Sequence, residues 1–171
     1  MQPITPCLWF NDQAEEAAKH YVTVFSGAPR VSSVAPSRIL HIAHYGEEAA
    51  KAAHRPVGSV LTVVFELDGE RFMGLNGGPV FTLSPAISFM INCETQGEVD
   101  WFWDKLSEGG KPDQCGWLTD RYGVSWQVVP RILGELMQDK DAQKRSRTMA
   151  AMLQMKKLDI AKLKQAAEPA S

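Results

Sequence analysis

The sequence predicts an α+β fold: two tandem βαβββ units with cupped mixed sheets, followed by a C-terminal helical extension. Three observations carry this. Residues 4 to 27, ITPCLWFNDQAEEAAKHYVTVFSG, and residues 85 to 109, PAISFMINCETQGEVDWFWDKLSEG, each run as an alternating strand, a polar turn, an amphipathic helix and a closing glycine. Leu8 and Phe25 of the first stretch answer Phe89 and Leu106 of the second, both offset by 81 positions. After each helix come strand signals with a short turn (LDGERF, TDRYGVSW), a last apolar strand and a proline, Pro79 or Pro130. Two such units read as one repeat built twice, which points to a ligand pocket where the copies meet. The expected divisions are 1–83, 84–131 and 132–171, the two units forming one compact domain.

Strand 4 to 10 opens the chain, and Asn11 or Asp12 is expected to cap a helix reaching Phe25, with Glu15 and Glu16 suited to its dipole and Gly27 as its stop. Residues 31 to 45 are a weaker extended region, and the Ala, Glu and Lys rich residues 47 to 54 read as a loop or short helical excursion. Residues 58 to 78 form a hairpin around the Asp-Gly turn of FELDGERF. The second copy gives strand 87 to 93, helix 97 to 108, strand 115 to 119, a turn at 120 to 123 and strand 124 to 129. From 131 the chain is helical, apart from an Asp-Lys-Asp interruption near 139.

Composition narrows the function classes. With 44% hydrophobic and 22% charged residues and a net charge of −2, this is an ordinary globular chain with no overall pull toward nucleic acid. No run approaches the roughly 18 to 20 apolar residues of a membrane span, and the N-terminus has no signal-peptide pattern, so neither membrane nor export is expected. Cys7, Cys93 and Cys115 are odd in number and far apart, which fits reduced thiols in a cytoplasm. The basic C-terminal stretch carries an apolar stripe of Met149, Met152, Leu153, Leu158 and Leu163, and is expected to dock on its own body or on a second subunit rather than on nucleic acid.

Period-two alternation assigns faces. Ile4, Leu8 and Phe10, Met73 and Leu75, Ile87, Phe89, Ile91 and Cys93, and Val124, Trp126 and Val128 are expected under the helices. The opposite set, Thr5, Cys7 and Trp9, Phe72, Gly74 and Asn76, Ser88, Met90 and Asn92, and Ser125, Gln127 and Val129, is mixed and polar, as in a ligand cavity. Asn76 and Gln127 each offer a donor and an acceptor, Gly77 and Gly78 would let a ligand approach, and Trp9 opposite Phe72 is suited to stacking. His41 and His44 form an HxxH with no third ligand nearby, and His20 reads as a helix-surface residue. Cys7 shares the cavity face, and Cys115 precedes Gly116 after a loop; both are expected to be inert thiols.

The strand-helix-three-strand repeat, with FELDGERFMGLNGGP, ISFMINCETQGEVDWFWDKLSEGG, QCGWLTDRYGVSWQVVP and AAMLQMKKLDIAKL, resembles the PhnB-like branch of the glyoxalase/bleomycin-resistance (vicinal oxygen chelate) superfamily over nearly the whole chain. The resemblance implies that the ligand positions of the superfamily's metalloenzymes fall on Thr5, Gly74, Ser88 and Gln127. A glycine, two hydroxyls and a neutral amide cannot replace the hydration of a divalent ion, so no metal and no cofactor is expected. Members of the branch have been labelled demethylubiquinone methyltransferase-like, but the chain has no Gly-rich strand-to-helix loop to cradle a nucleotide-like methyl donor. The expected function is binding of a small organic molecule in a metal-free cup, with Thr5, Cys7, Trp9, Phe72, Asn76, Ser88 and Gln127 as lining. The alternative is a metal-independent lyase, isomerase or transferase-like enzyme acting on a small metabolite, and the residues leave turnover open. A homodimer is expected from exposed strand edges, sealed by the Met-rich helix of about 140 to 165.

Overall fold

The computed structural model describes residues 4–31 and 34–169; the extreme ends of the expected first unit and C-terminal extension, and residues 32–33 of the weak extended region, lie outside it. Two compact units divide the chain after Leu83, except that Ala28–Val31 belong with the second. Both are βαβββ units, so the architecture is the one the repeat predicts.

Unit 1 runs β1 (Cys7–Phe10), α1 (Ala14–Ser26), β2 (Arg38–His44), α2 (Glu47–Ala53), β3 (Val60–Leu67) and β4 (Glu70–Asn76), with strand order β1-β4-β3-β2. The β-branched residues of β3 end at Asp68 and Gly69, whose φ values of 49° and 92° give the two-residue turn that matches strand twist. β4 returns antiparallel to β3 and pairs parallel with β1. Helix α1 buries Ala14, Ala17, Ala18, Tyr21, Val24 and Phe25. Tyr21 lies 6.2 Å from the ring of Phe65, which stacks on Phe72 at 5.5 Å.

That stacking corrects the face expected for β4. Phe72, Gly74 and Asn76 point under α1, and Met73 and Leu75 point away. The parallel register decides it, because Leu8 stands opposite Gly74 and Phe10 opposite Asn76, and both β1 residues are buried. A Cβ on Gly74 would lie 3.1 Å from the Ala14 Cβ, so the missing side chain lets the start of α1 settle onto the sheet. The helix cap is corrected with it. Gln13 holds the cap position without a side-chain bond; Asn76, 2% exposed, accepts from Ala14 N at 2.8 Å instead. Its Nδ2 donates to Val60 O at 3.1 Å, and the Tyr45 hydroxyl donates to its carbonyl at 2.6 Å. Asn76 is therefore a structural capping residue.

Unit 2 runs β5 (Phe89–Cys93), α3 (Gln96–Ser107), β6 (Lys111–Pro112), β7 (Trp117–Thr119) and β8 (Ser125–Pro130), in the order β5-β8-β7-β6 with β5 parallel to β8. Most of the expected faces hold here: Ile91, Cys93, Val124, Trp126 and Val128 are buried, while Met90 and Asn92 are exposed; Ile87, expected under the helix, lies ahead of β5 and is 75% exposed, and Ser125, expected on the open face, is buried. Thr95 caps α3 by accepting from Glu98 N at 3.2 Å, and buried Glu98 returns to Glu94 N at 2.7 Å. Glu98 also binds the Ala28–Val31 segment, accepting from Val31 N at 3.2 Å and pairing with Arg30 at 3.3 Å, while the Arg30 guanidinium lies 4.7 Å over Phe102.

The chain continues as α4 (Arg131–Met137), α5 (Ala142–Met152) and α6 (Ile160–Ala167). The single Met-rich helix expected over 140 to 165 is thus two helices. Cys115 N donates to Met155 O at 2.7 Å and Gly116 N to Lys156 O at 2.8 Å, fixing a stretch of turns and bends between them, and the Asp159 carboxylate caps α6. Gln96 clasps the same stretch, donating to Leu158 O at 3.1 Å and accepting from Ile160 N at 2.9 Å. Leu158 and Leu163 of the apolar stripe are buried within unit 2 with Leu133, Leu136 and Ala167, whereas Met149 and Leu153 stay exposed.

Two outcomes are expected. Asn76→Ala strands the Ala14 N–H and Val60 C=O and should cost about 2 kcal/mol in denaturant unfolding; an unchanged stability would overturn the capping role. Burial pushes the Cys93 thiol from 9.0 up to about 12, and Arg30 offsets this only in part. The folded chain keeps that proton where the unfolded chain releases it, so the stabilisation is whole below pH 9.0 and fades as pH rises toward 12. The stability gap between the parent and Cys93→Ala should therefore shrink between about pH 8 and about pH 11; a constant gap would contradict it.

Candidate functional site

Each sheet has one face beneath its crossover helix and an opposite, more open face; in unit 2, Val129 at the end of β8 on that opposite face packs against the C-terminal helices. In unit 1 the strand registers build that open face in rows: Cys7, Met73, Val64 and His41; then Trp9, Leu75, Thr62 and Ala43; and, toward the other end, Arg71, Glu66 and Arg38. Cys7 and Trp9 stand where the sequence places them, and Thr5 is exposed just ahead of β1. Phe72 and Asn76 are absent from this face for the reason given above. Met73 and Leu75 replace them, and β2 and β3 supply residues that alternation had not assigned.

Trp9 is held by the glycines once read as an approach for ligand. A Cβ on Gly77 would lie 2.1 Å from its ring, its Nε1 donates to Gly78 O at 2.9 Å, and Phe81 meets it edge-on at 4.9 Å. Glu66 binds Arg38 at 3.1 Å and Arg71 at 3.3 Å. Desolvation would raise its pKa, but the hydrogen bonds from Arg71 and Arg38 prevail and hold the carboxyl below its usual range. Desolvation raises the Cys7 thiol. His41, three strands away, is about 14 Å off by strand spacing and cannot serve Cys7 as a base.

On unit 2, Ser88 and Gln127 come together: Gln127 Nε2 donates to Ser88 Oγ at 2.9 Å. Met90 and Trp117 flank Gln127 in register, and Thr119 stands beside Ser125, their hydroxyls 3.5 Å apart. The strand expected over 115 to 119 is β7, but alternation assigns no face to Trp117 and Thr119; the signal that finds them is the pairing of that segment with VSWQ. Buried Asp120 shapes the turn before β8, accepting from Tyr122 N at 2.8 Å, Val124 N at 3.0 Å and Trp126 Nε1 at 2.8 Å. It fixes the strand that carries Gln127. Cys115, at φ 59°, turns its thiol to Met152 O at 3.7 Å, in the packing of the C-terminal segment.

Residues 2–129 match the family model described as 3-demethylubiquinone-9 3-methyltransferase. The chain belongs to that family, as a PhnB-like member. It is similar to the PhnB protein from Bacillus cereus, 33% identical with a TM-score of 0.63 over 75% of this chain and 99% of that one. It shares the fold of a Pseudomonas aeruginosa protein, 19% identical with a TM-score of 0.56 over 76% of this chain and 98% of that one. No curated protein matches. The family match ends at Val129, so the C-terminal helices of this PhnB-like chain lie beyond it, whereas the sequence resemblance ran through them.

Neither group that these relationships imply fits the residues present. Of the four implied metal positions, Gly74 faces Ala14 and brings no donor, leaving two hydroxyls and an amide. Among the described residues no three His, Cys, Asp or Glu side chains cluster as a metal site. For a nucleotide-like methyl donor, the strand-to-helix turns at 11–13 and 94–95 contain no glycine, and Thr95 and Glu98 already engage the backbone at the start of α3. In the polar recess of about 440 Å³ in unit 2, bounded by Gln96, Asp100, Lys157 and Asp159, part of the lining is already paired: Lys157 with Asp100 at 3.0 Å, and Gln96 with Asp100 at 3.0 Å.

Gly77→Ala should displace Trp9 and lower stability by about 1–3 kcal/mol through overpacking. In a Trp9→Ala background the same change should cost much less; equal costs in a double-mutant cycle would overturn the cradle.

Proposed function

We propose that this PhnB-like protein binds a small organic molecule on the open faces of its sheets without a metal ion. The Ser88–Gln127 pair carries the reading: two neutral, hydrogen-bonded groups stand side by side at positions where the superfamily's metalloenzymes hold metal ligands. Trp9, with Cys7, Met73 and Leu75 around it, gives unit 1 a largely apolar open face of its own. Metal-free turnover is the second reading, favoured by His41, a titratable side chain on the open face of unit 1. Thr5, exposed ahead of β1, is proposed at the rim of the ligand surface.

A homodimer belongs to the same proposal. β1 and β5 end their sheets and leave backbone edges that a second copy would cover, and exposed Met149 and Leu153 extend the surface available to it. Light scattering at micromolar concentration should give twice the chain mass; a monomer would refute this part.

Native mass spectrometry of the protein as expressed should reveal a co-purified compound. Gln127→Ala should weaken its affinity about tenfold, as expected for one lost hydrogen bond. Elemental analysis showing one zinc, nickel, iron or manganese per chain, lost in Gln127→Ala, would overturn the metal-free reading.

A further inference from the structure

From the outward face of α5 we infer that two copies of this chain meet through that helix, packed antiparallel about a two-fold axis; the inference rests on the proposed homodimer and names its surface. The family match ends at Val129, so α5 lies in a segment that family membership does not account for. At 3.6 residues per turn, Ala142, Ser146, Met149, Ala150 and Leu153 fall within one arc of about 100°, with Leu153 still in helical conformation at the cap. All five are exposed and none is charged. The cations of α5 turn elsewhere, each to a partner in its own unit: Lys144 to Asp139 at 2.9 Å, Arg145 to Asp139 O at 2.6 Å and Arg147 to Ala167 O at 2.6 Å. A solvated helix presents its charges outward; α5 draws them back and leaves an uncharged strip outside.

Ala142, Ser146, Met149 and Leu153 are spaced by four, three and four residues, the spacing of a helix-to-helix seam. The seam is small at its start and large at its end, and that gradient selects the partner. Reversed on a second copy about an axis level with Arg147 and Thr148, Leu153 meets Ala142 and Met149 meets Ser146, so each large side chain lies over a small one. A parallel copy would set Leu153 on Leu153 and align the two helix dipoles. At the flanks the reversed pairing brings Arg145 beside Met152 and Gln143 beside Ala150, so no like charges meet. The contact is about 16 Å long, well short of a standard interface, so the dimer should dissociate on dilution through the micromolar range.

Sedimentation velocity of the full chain over a dilution series reads the dissociation constant, and thermal melting reads the fold. Met149→Lys and Leu153→Lys, both at exposed positions, should each raise the dissociation constant at least tenfold and leave the melting of the monomer unchanged. Ser146→Cys and Met149→Cys proteins, mixed in equal amounts and oxidised, should give more disulfide-linked dimer than either alone, with the parent and its three thiols as background. A parent dimer whose dissociation constant neither lysine variant moves overturns the assignment to α5 and leaves the homodimer standing. Equal yields from the mixture and from either cysteine variant alone overturn the antiparallel pairing. A monomeric parent overturns the inference together with the homodimer, and a lowered melting temperature of Leu153→Lys would then show the strip to be covered within one chain.

Discussion

The parallel pairing of the first and last strand in each unit constrains the rest of the structure. Parallel neighbours cannot be joined by a hairpin, so the chain must cross over, and the helix of the crossover lies against one face of the sheet. Once Leu8 stands opposite Gly74 and Phe10 opposite Asn76, the side chains of that parity from Phe72 to Asn76 lie under the helix with Leu8 and Phe10, whatever their polarity. The opposite parity is left on the open face. The same logic in β5 and β8 sends Trp126 and Val128 inward and leaves Ser88 and Gln127 together on the open face.

Three buried polar side chains sit where this arrangement bends: Asn76 at the start of α1, Glu98 at the start of α3 and Asp120 at the turn into β8. Each accepts hydrogen bonds from backbone N–H groups that would otherwise be buried without partners, a penalty of about 1–3 kcal/mol apiece. Buried polar residues draw attention as possible catalysts, yet these three have their oxygens occupied by structural donors. The groups left over for chemistry are the half-exposed amides, hydroxyls and aromatic rings of the open faces.

How much of this was legible in the sequence depended on range. The two units followed from local alternation and turn residues, and the open faces of β5 and β8 followed because their greasy and polar positions separate cleanly. β4 did not separate. Met73 and Leu75 outweigh Gly74 and Asn76 in hydrophobicity, so a local count turned the strand over, and only its register against β1 reveals that Gly74 is small because α1 presses on it. The Asn-Gly-Gly sequence was legible as special, but its purpose, a cradle for Trp9 sixty-nine residues upstream, is a long-range contact. The interruption between α5 and α6 arises likewise from distant bonds to Cys115, Gly116 and Gln96.

The placement of Ala28–Val31 in the second unit bears on how the repeat could be taken apart. A gene severed after the codon for Leu83 would not yield two self-sufficient halves. The downstream fragment would enclose the Glu98 carboxylate without Arg30 or the Val31 N–H, an uncompensated charge in a packed interior, and it would lose the guanidinium lying on Phe102. The duplication seen in the sequence is therefore interlocked rather than simply concatenated: a free-standing second repeat would have to borrow those four residues from another molecule.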